Sequence, residues 1–163
     1  EKKGQVLIAL TEHSNYWVDF VKECLEDVEK ADIVIKAHPR FVHLLSDFNE
    51  LEGVKGVALC SAGNIYKFIS EAEFILSDKS TVIFEAYCMN KKVFVYDCEL
   101  SNNYIPNDVG YRFRTYSEYK NIVNNLGENC EIHNDAEYYF GKEWENNFKN
   151  LINQIDFERD TRT

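Results

Sequence analysis

The chain contains no GxGxxG, GxxxxGK(S/T), GxSxG or HExxH motif. These absences argue against a nicotinamide-binding Rossmann domain, a P-loop NTPase, a nucleophile-elbow hydrolase and an HExxH metalloprotease. Basic residues are also short. Eighteen Lys and Arg face 28 Asp and Glu, for a formal net charge of −10. A nucleic-acid surface needs clustered cations, so no nucleic-acid partner is expected. Docking to anionic lipid through this domain is disfavoured for the same reason. No apolar run approaches membrane-spanning length, and no signal-peptide pattern is present. The five cysteines (Cys24, Cys60, Cys88, Cys98, Cys130) are widely spaced without a CxxC pair, which leaves a zinc cluster or redox motif little support. Cys60 and Cys88 sit in apolar context and read as small core residues, and the compartment reads as reducing and cytosolic. His43 and His133 lack companions at metal-ligand spacing. No metal and no cofactor is expected.

What is present is a globular composition. The 163 residues are 45% hydrophobic and 14% aromatic, enough for one domain with a substantial core. Apolar runs at Gln5–Leu10, Asp32–Lys36, Val54–Cys60, Phe74–Leu76 and Val93–Tyr96 read as strands, the third interrupted by Gly56. Between them Tyr16–Lys30, Phe41–Phe48, Asn64–Ala72 and a segment from Val82 carry apolar residues at helical spacing. Most strands are continuous apolar runs, the mark of a parallel sheet covered on both faces. The expected fold is therefore α/β: a Rossmann-like, doubly wound parallel sheet of five to six strands with helices on both faces. Leu100–Thr115 reads as a loop with turns, Tyr116–Leu126 as a helix capped by Ser117 or a neighbour, and Glu143–Ile155 as a last amphipathic helix. A single domain over 1–155 with a frayed tail at 156–163 is expected. The start at Glu1-Lys2-Lys3-Gly4, without Met, reads as a processed chain or a piece of a longer one.

The most informative stretch is AEFILSDKSTVIFEAYCMNKKVFVYD, Ala72–Asp97. It is a strand, a polar turn, a helix and a second strand, which implies a right-handed parallel crossover. Ser80 and Thr81 sit where the first strand passes into the helix. Free amides at a helix start plus two hydroxyls suit a phosphate. Glu85 lies one turn on and can accept the hydroxyl protons of a ribose. Phosphate donors followed by a ribose acceptor make a nucleotide site. The same residues also serve as ordinary N-caps, and Asp78 in particular reads as a cap.

His38-Pro39 follows the second strand directly. Proline fixes the loop, so the histidine is presented rigidly, able to donate to a phosphate or protonate one as it leaves. His13 follows the first strand at a similar place, and Arg40 is a further phosphate candidate; each also fits a structural role. Lys79 can neutralise phosphate or be solvated, and Arg112 and Arg114 read as solvated loop charges.

The segments IVIKAHPR and IYKFISEAEFILSDKSTVIFEAYCMNKKVFVYD together resemble the C-terminal half of glycosyltransferase-B-fold enzymes. The nearest resemblance is to CDP-glycerol glycerophosphotransferases of teichoic-acid and capsule synthesis, with an HP pair, a Ser-Ser pair and a strand ending Tyr-Asp. Bacterial sialyltransferases acting on CMP-sialic acid are similar. UDP-N-acetylglucosamine 2-epimerases share the segment too, but Ser77–Thr81 lacks the two glycines of their TDSGG run and Phe84 stands in place of the first Glu of their pair. The resemblance covers Val6 to Asp97. It implies that His38, Ser80 and Thr81 contact donor phosphate and Glu85 the ribose, with His38 as the catalytic group. It also implies a nucleotide-activated donor (CDP-glycerol, a CMP-sugar or a UDP-sugar) and one half of a two-domain enzyme. The acceptor half is then an N-terminal domain in cis or a separate chain, and the protein is cytoplasmic, held at the inner membrane face through that other half. Alone, such a chain should bind nucleotide and turn nothing over. An epimerase-like domain and a non-catalytic nucleotide-binding module are the alternatives; a receiver domain lacks its acidic cluster here.

Overall fold

The computed structural model describes residues 4–27 and 32–126, with Glu143 and Asn146. The chain divides into two units, Glu1–Ile132 and His133–Thr163; the sheet and its helices all belong to the first. Apart from Glu143 and Asn146, the helix expected over Glu143–Ile155 and the 156–163 tail lie outside the described residues.

Six strands form one sheet: β1 (Gln5–Leu10), β2 (Asp32–Ala37), β3 (Val57–Cys60), β4 (Phe74–Ser77), β5 (Lys92–Tyr96) and β6 (Tyr111–Phe113). Their order is β3-β2-β1-β4-β5-β6 and every pairing is parallel. This is the doubly wound Rossmann-like arrangement expected from the sequence. Five α-helices accompany it: α1 (Asn15–Glu26), α2 (Ile65–Glu71), α3 (Val82–Cys88), α4 (Glu99–Tyr104) and α5 (Tyr116–Asn125). The short helix expected over Phe41–Phe48 is a longer 3₁₀ stretch, Pro39–Leu51. Val57 is the first residue of β3, not Val54, because Gly56 holds φ +91°, a left-handed turn that cannot continue a strand.

Alternation along the strands divides the core. Val6, Ile8 and Leu10 of β1, Ile33 and Ile35 of β2, and Phe94 and Phe113 share one cluster with Trp17 and Phe20 of α1 and Tyr119 of α5. The aromatic rings meet edge to face; Phe94 and Tyr119 are 4.9 Å apart at 65°, a geometry favoured by the ring quadrupole. Leu7, Ile75, Val93 and Val95 are buried outside that cluster, as are Ile69 of α2 and Ile83 and Ala86 of α3. Helices thus cover both faces.

One expectation fails. Leu100–Thr115 is not a plain loop: it contains α4 and β6. Three residues are too few for a legible period, and β6 owes its state to pairing with β5 (Phe94↔Tyr111, Tyr96↔Phe113). Arg112, read as a solvated charge, staples this segment by donating to Ser101 Oγ (3.1 Å), Asn102 Oδ1 (3.1 Å), Ile105 O (2.6 Å) and Pro106 O (3.2 Å). Thr115, not Ser117, caps α5, accepting from the Glu118 amide at 3.2 Å. Among the described residues no helix is long and apolar enough to cross a membrane.

Candidate functional site

The sheet reverses its winding between β1 and β4, and there the two strands part. β1 pairs with β2 over six residues, up to Leu10↔Ala37, but with β4 only from Val6↔Phe74 to Ile8↔Leu76. Beyond that point side chains replace the ladder. Ser77 Oγ donates to Ala9 O at 2.6 Å. Asp78, fully buried, accepts from Thr11 Oγ1 at 2.5 Å, from the Tyr16 hydroxyl, and from the Lys79 amide at 2.7 Å. Asp78 therefore does not cap the helix as expected; it ties the end of β4 to the end of β1 and the start of α1. Tyr16 lies flat on Tyr96, with centroids 4.1 Å apart and planes at 4°. Burial, then the Asp78 charge, raises the Tyr16 phenol well above its ordinary range.

A cleft of about 300 Å³ opens at this switch point, the usual ligand position of a doubly wound sheet. Its lining includes Lys36, His38, Gly63, Ser80, Thr81 and Glu85, with Ala9 and Leu10 of β1 behind them. Four of the residues singled out from sequence, His38, Ser80, Thr81 and Glu85, thus meet on one surface although they come from two strand ends. His13 and Arg40 do not line it. Both lie close enough to Glu12 to act on its charge; the main cause holding that carboxyl below its usual range is Lys79, bonded to it at 2.6 Å. Lys79 is thus engaged outside the cleft.

The His38 ring is held by its own loop: Nδ1 accepts from the Arg40 amide at 3.2 Å. With Nδ1 occupied as an acceptor, Nε2–H is the ring's donor. The α3 helix spans seven residues, too short for a large macrodipole. The Thr81 hydroxyl makes no cap bond, while Ser80 Oγ accepts from the Val82 amide at 3.3 Å. Glu85 Oε2 is buried and has no hydrogen-bond partner, and the charge of this carboxylate raises the neighbouring Tyr66 phenol. Sequence reading passed over Lys36, a 6%-exposed lysine at the base of the cleft. The signal was a single cation among the apolar residues 33–37 of an interior strand. Among the described residues no group of His, Cys, Asp and Glu could hold a metal ion.

No known family profile matches the sequence, and no curated protein matches it. Solved structures do. The UDP-GlcNAc 2-epimerase from Neisseria meningitidis, bound to UDP-GlcNAc, superposes with TM-score 0.61 at 18% identity over 93% of this chain. A variant of the wall teichoic acid polymerase TagF, soaked with CDPG, gives 0.59 at 16% identity over 93%. KpsC, the beta Kdo 2,4 transferase of Thermosulfurimonas dismutans, gives 0.52 at 16% over 71%. The chain spans 45%, 44% and 39% of those proteins respectively. At such identities the likeness establishes the fold alone: one Rossmann-like doubly wound α/β unit.

Proposed function

We propose that the switch-point cleft binds the ribose and phosphates of a nucleotide-activated donor, and that the chain is the donor-binding half of a transferase. The observation that carries this reading is the meeting of His38, Ser80, Thr81 and Glu85 on one cleft. The Ser80 and Thr81 hydroxyls donate to phosphate oxygens. The Glu85 carboxylate, one turn of α3 away, accepts from the ribose hydroxyls. His38 donates through Nε2–H to the phosphate that leaves, stabilising charge as the donor bond breaks. The cleft lies at the small end of ligand sites, roughly 300–1,000 Å³, which suits the sugar-phosphate part of a nucleotide. The solved structures that share this fold include one bound to UDP-GlcNAc and one soaked with CDPG.

The transferred group is a glycosyl or glycerol-phosphate unit, the donor a cytidine nucleotide before a uridine one, and the acceptor a cell-surface polymer or glycan. Among the described residues, three of the four exposed large apolar side chains, Val42, Tyr66 and Tyr104, belong to elements that follow strand ends on the cleft side. They suit a facing domain, in cis or on a partner chain, that carries the acceptor site. Holding donor and acceptor in register is a large share of the rate in such a two-part enzyme, so the chain alone turns nothing over.

The test is a thermal-shift and calorimetric panel of CDP, CMP, UDP, UDP-N-acetylglucosamine, GDP and ADP. A ligand at 100 times its Kd raises native stability by about 2.7 kcal/mol. The expected result is a rise with pyrimidine nucleotides, weakened at least tenfold by Ser80→Ala with Thr81→Ala, since each charge-assisted bond is worth roughly 1.5–3 kcal/mol. Turnover of CDP-glycerol or a nucleotide sugar by this chain overturns the division of labour. Failure of every nucleotide at millimolar concentration overturns the donor-site reading.

A further inference from the structure

Lys36 sits in the second-to-last position of β2, paired on one side with Ala9 and on the other with Cys60. It is the only lysine among the buried described residues. Its Nζ donates to two backbone carbonyls, Ala37 O at 2.8 Å and Ser61 O at 3.3 Å. An ammonium carries three donors, so one remains. Among the described residues no carboxylate lies within ion-pair distance of it; the ion pairs there use Lys22, Lys67, Lys79, Lys92, Arg114 and Lys120. Neutral carbonyls do not cancel a buried charge, and an uncompensated buried cation is costly.

Lys36 also lines the cleft, together with His38 and Glu85. Lys36 and Glu85 do not pair, although they share this small volume and Glu85 Oε2 has no partner. The lining therefore carries two opposite charges that do not neutralise each other, the Lys36 ammonium and the Glu85 carboxylate. A ligand that carries both a negative group and hydroxyl donors suits such a lining.

We propose that Lys36 is the counter-charge for a phosphoryl group in the cleft and sets a preference for nucleoside diphosphates over uncharged nucleosides. The inference rests on the donor-site reading for the identity of the ligand's other end. For the anion itself it stands on the lysine alone. Ser80 and Thr81 hydroxyls supply directional bonds to the phosphate; Lys36 supplies the charge those hydroxyls lack. The continuous apolar strand that a central parallel position favours is broken here by a function, not by packing.

The experiment titrates inorganic pyrophosphate, CDP and cytidine into the wild-type chain and into Lys36→Met, which keeps length and removes charge. Wild type should bind pyrophosphate and CDP, and Lys36→Met should lose at least tenfold for both while cytidine is unchanged. Lys36→Arg, which keeps the charge, should retain most of the affinity. A variant that binds CDP and pyrophosphate within threefold of wild type overturns the inference and leaves the nucleotide site standing. Conversely, pyrophosphate binding that depends on Lys36, with CDP no tighter than pyrophosphate, supports Lys36 and removes the nucleoside half of the donor-site reading. If Lys36→Met does not fold, ¹³C-lysine spectra of the wild type decide: the Lys36 Cε signal should move as pyrophosphate saturates, and a stationary signal overturns the assignment.

Discussion

Replacing Asp78 by Asn should destabilise the protein by about 2–3 kcal/mol without unfolding it. The carboxylate is fully buried and accepts three bonds: from Thr11 Oγ1 at 2.5 Å, from the Tyr16 hydroxyl and from the Lys79 amide at 2.7 Å. An amide of the same shape keeps one acceptor oxygen and turns a donor toward one of two hydroxyls that are themselves donors. At least one charge-assisted bond is lost, at roughly 1.5–3 kcal/mol, and the remaining ones weaken towards the neutral range of about 1 kcal/mol. For a chain of this size each kcal/mol moves Tm by about 2–4 °C, so a fall of roughly 4–12 °C is expected in thermal unfolding followed by circular dichroism. Tyr16→Phe removes one donor and should cost less, about 1–2 kcal/mol. The double variant should cost less than the sum of the two, because both changes break the same bond. An Asp78→Asn midpoint within about 1 °C of wild type, or strict additivity with Tyr16→Phe, would show that this buried junction does not hold β1 to β4.

Alkaline stability follows from the buried thiol and phenols. Burial pushes Cys24 from 9.0 up to about 12 and raises Tyr16, Tyr116 and Tyr119 above their ordinary value. The unfolded chain loses these protons first, so stability is intact below about pH 9 and falls as pH climbs towards 12, which urea midpoints at pH 7, 9 and 10.5 will show. Gly110→Ala should cost about 2 kcal/mol or more in chemical denaturation, since φ is +71° and a Cβ would stand 2.8 Å from Val93 O. A loss below 0.5 kcal/mol there would mean that the turn into β6 relaxes freely.

How much was legible depends on where the information lay. β1, β2, β4 and β5 were readable because each is an apolar run with its own turn signals. β6 was not, because Tyr111–Phe113 becomes a strand only through β5. Among site residues, Ser80, Thr81 and His38 were readable as polar groups at strand ends, and Glu85 by its helical spacing from Thr81. Asp78 was misread because a local rule, the N-cap, competed with partners 62 and 67 residues away. Lys36 was passed over because its strand was judged by its apolar neighbours.

The sheet consists of two wings, each built of sequential strands: β1 with β2 and β3, and β4 with β5 and β6. A single seam of three residue pairs, with partners 68 positions apart, zips them together. Each wing closes through short crossovers, whereas the seam must bring distant chain together and is the slow, non-local step. Lys36 and His38 stand on one wing, Ser80, Thr81 and Glu85 on the other, so the cleft does not exist until the zip is closed. A ligand seated there would span the seam and act as a clasp, its binding energy added to the join between the two wings.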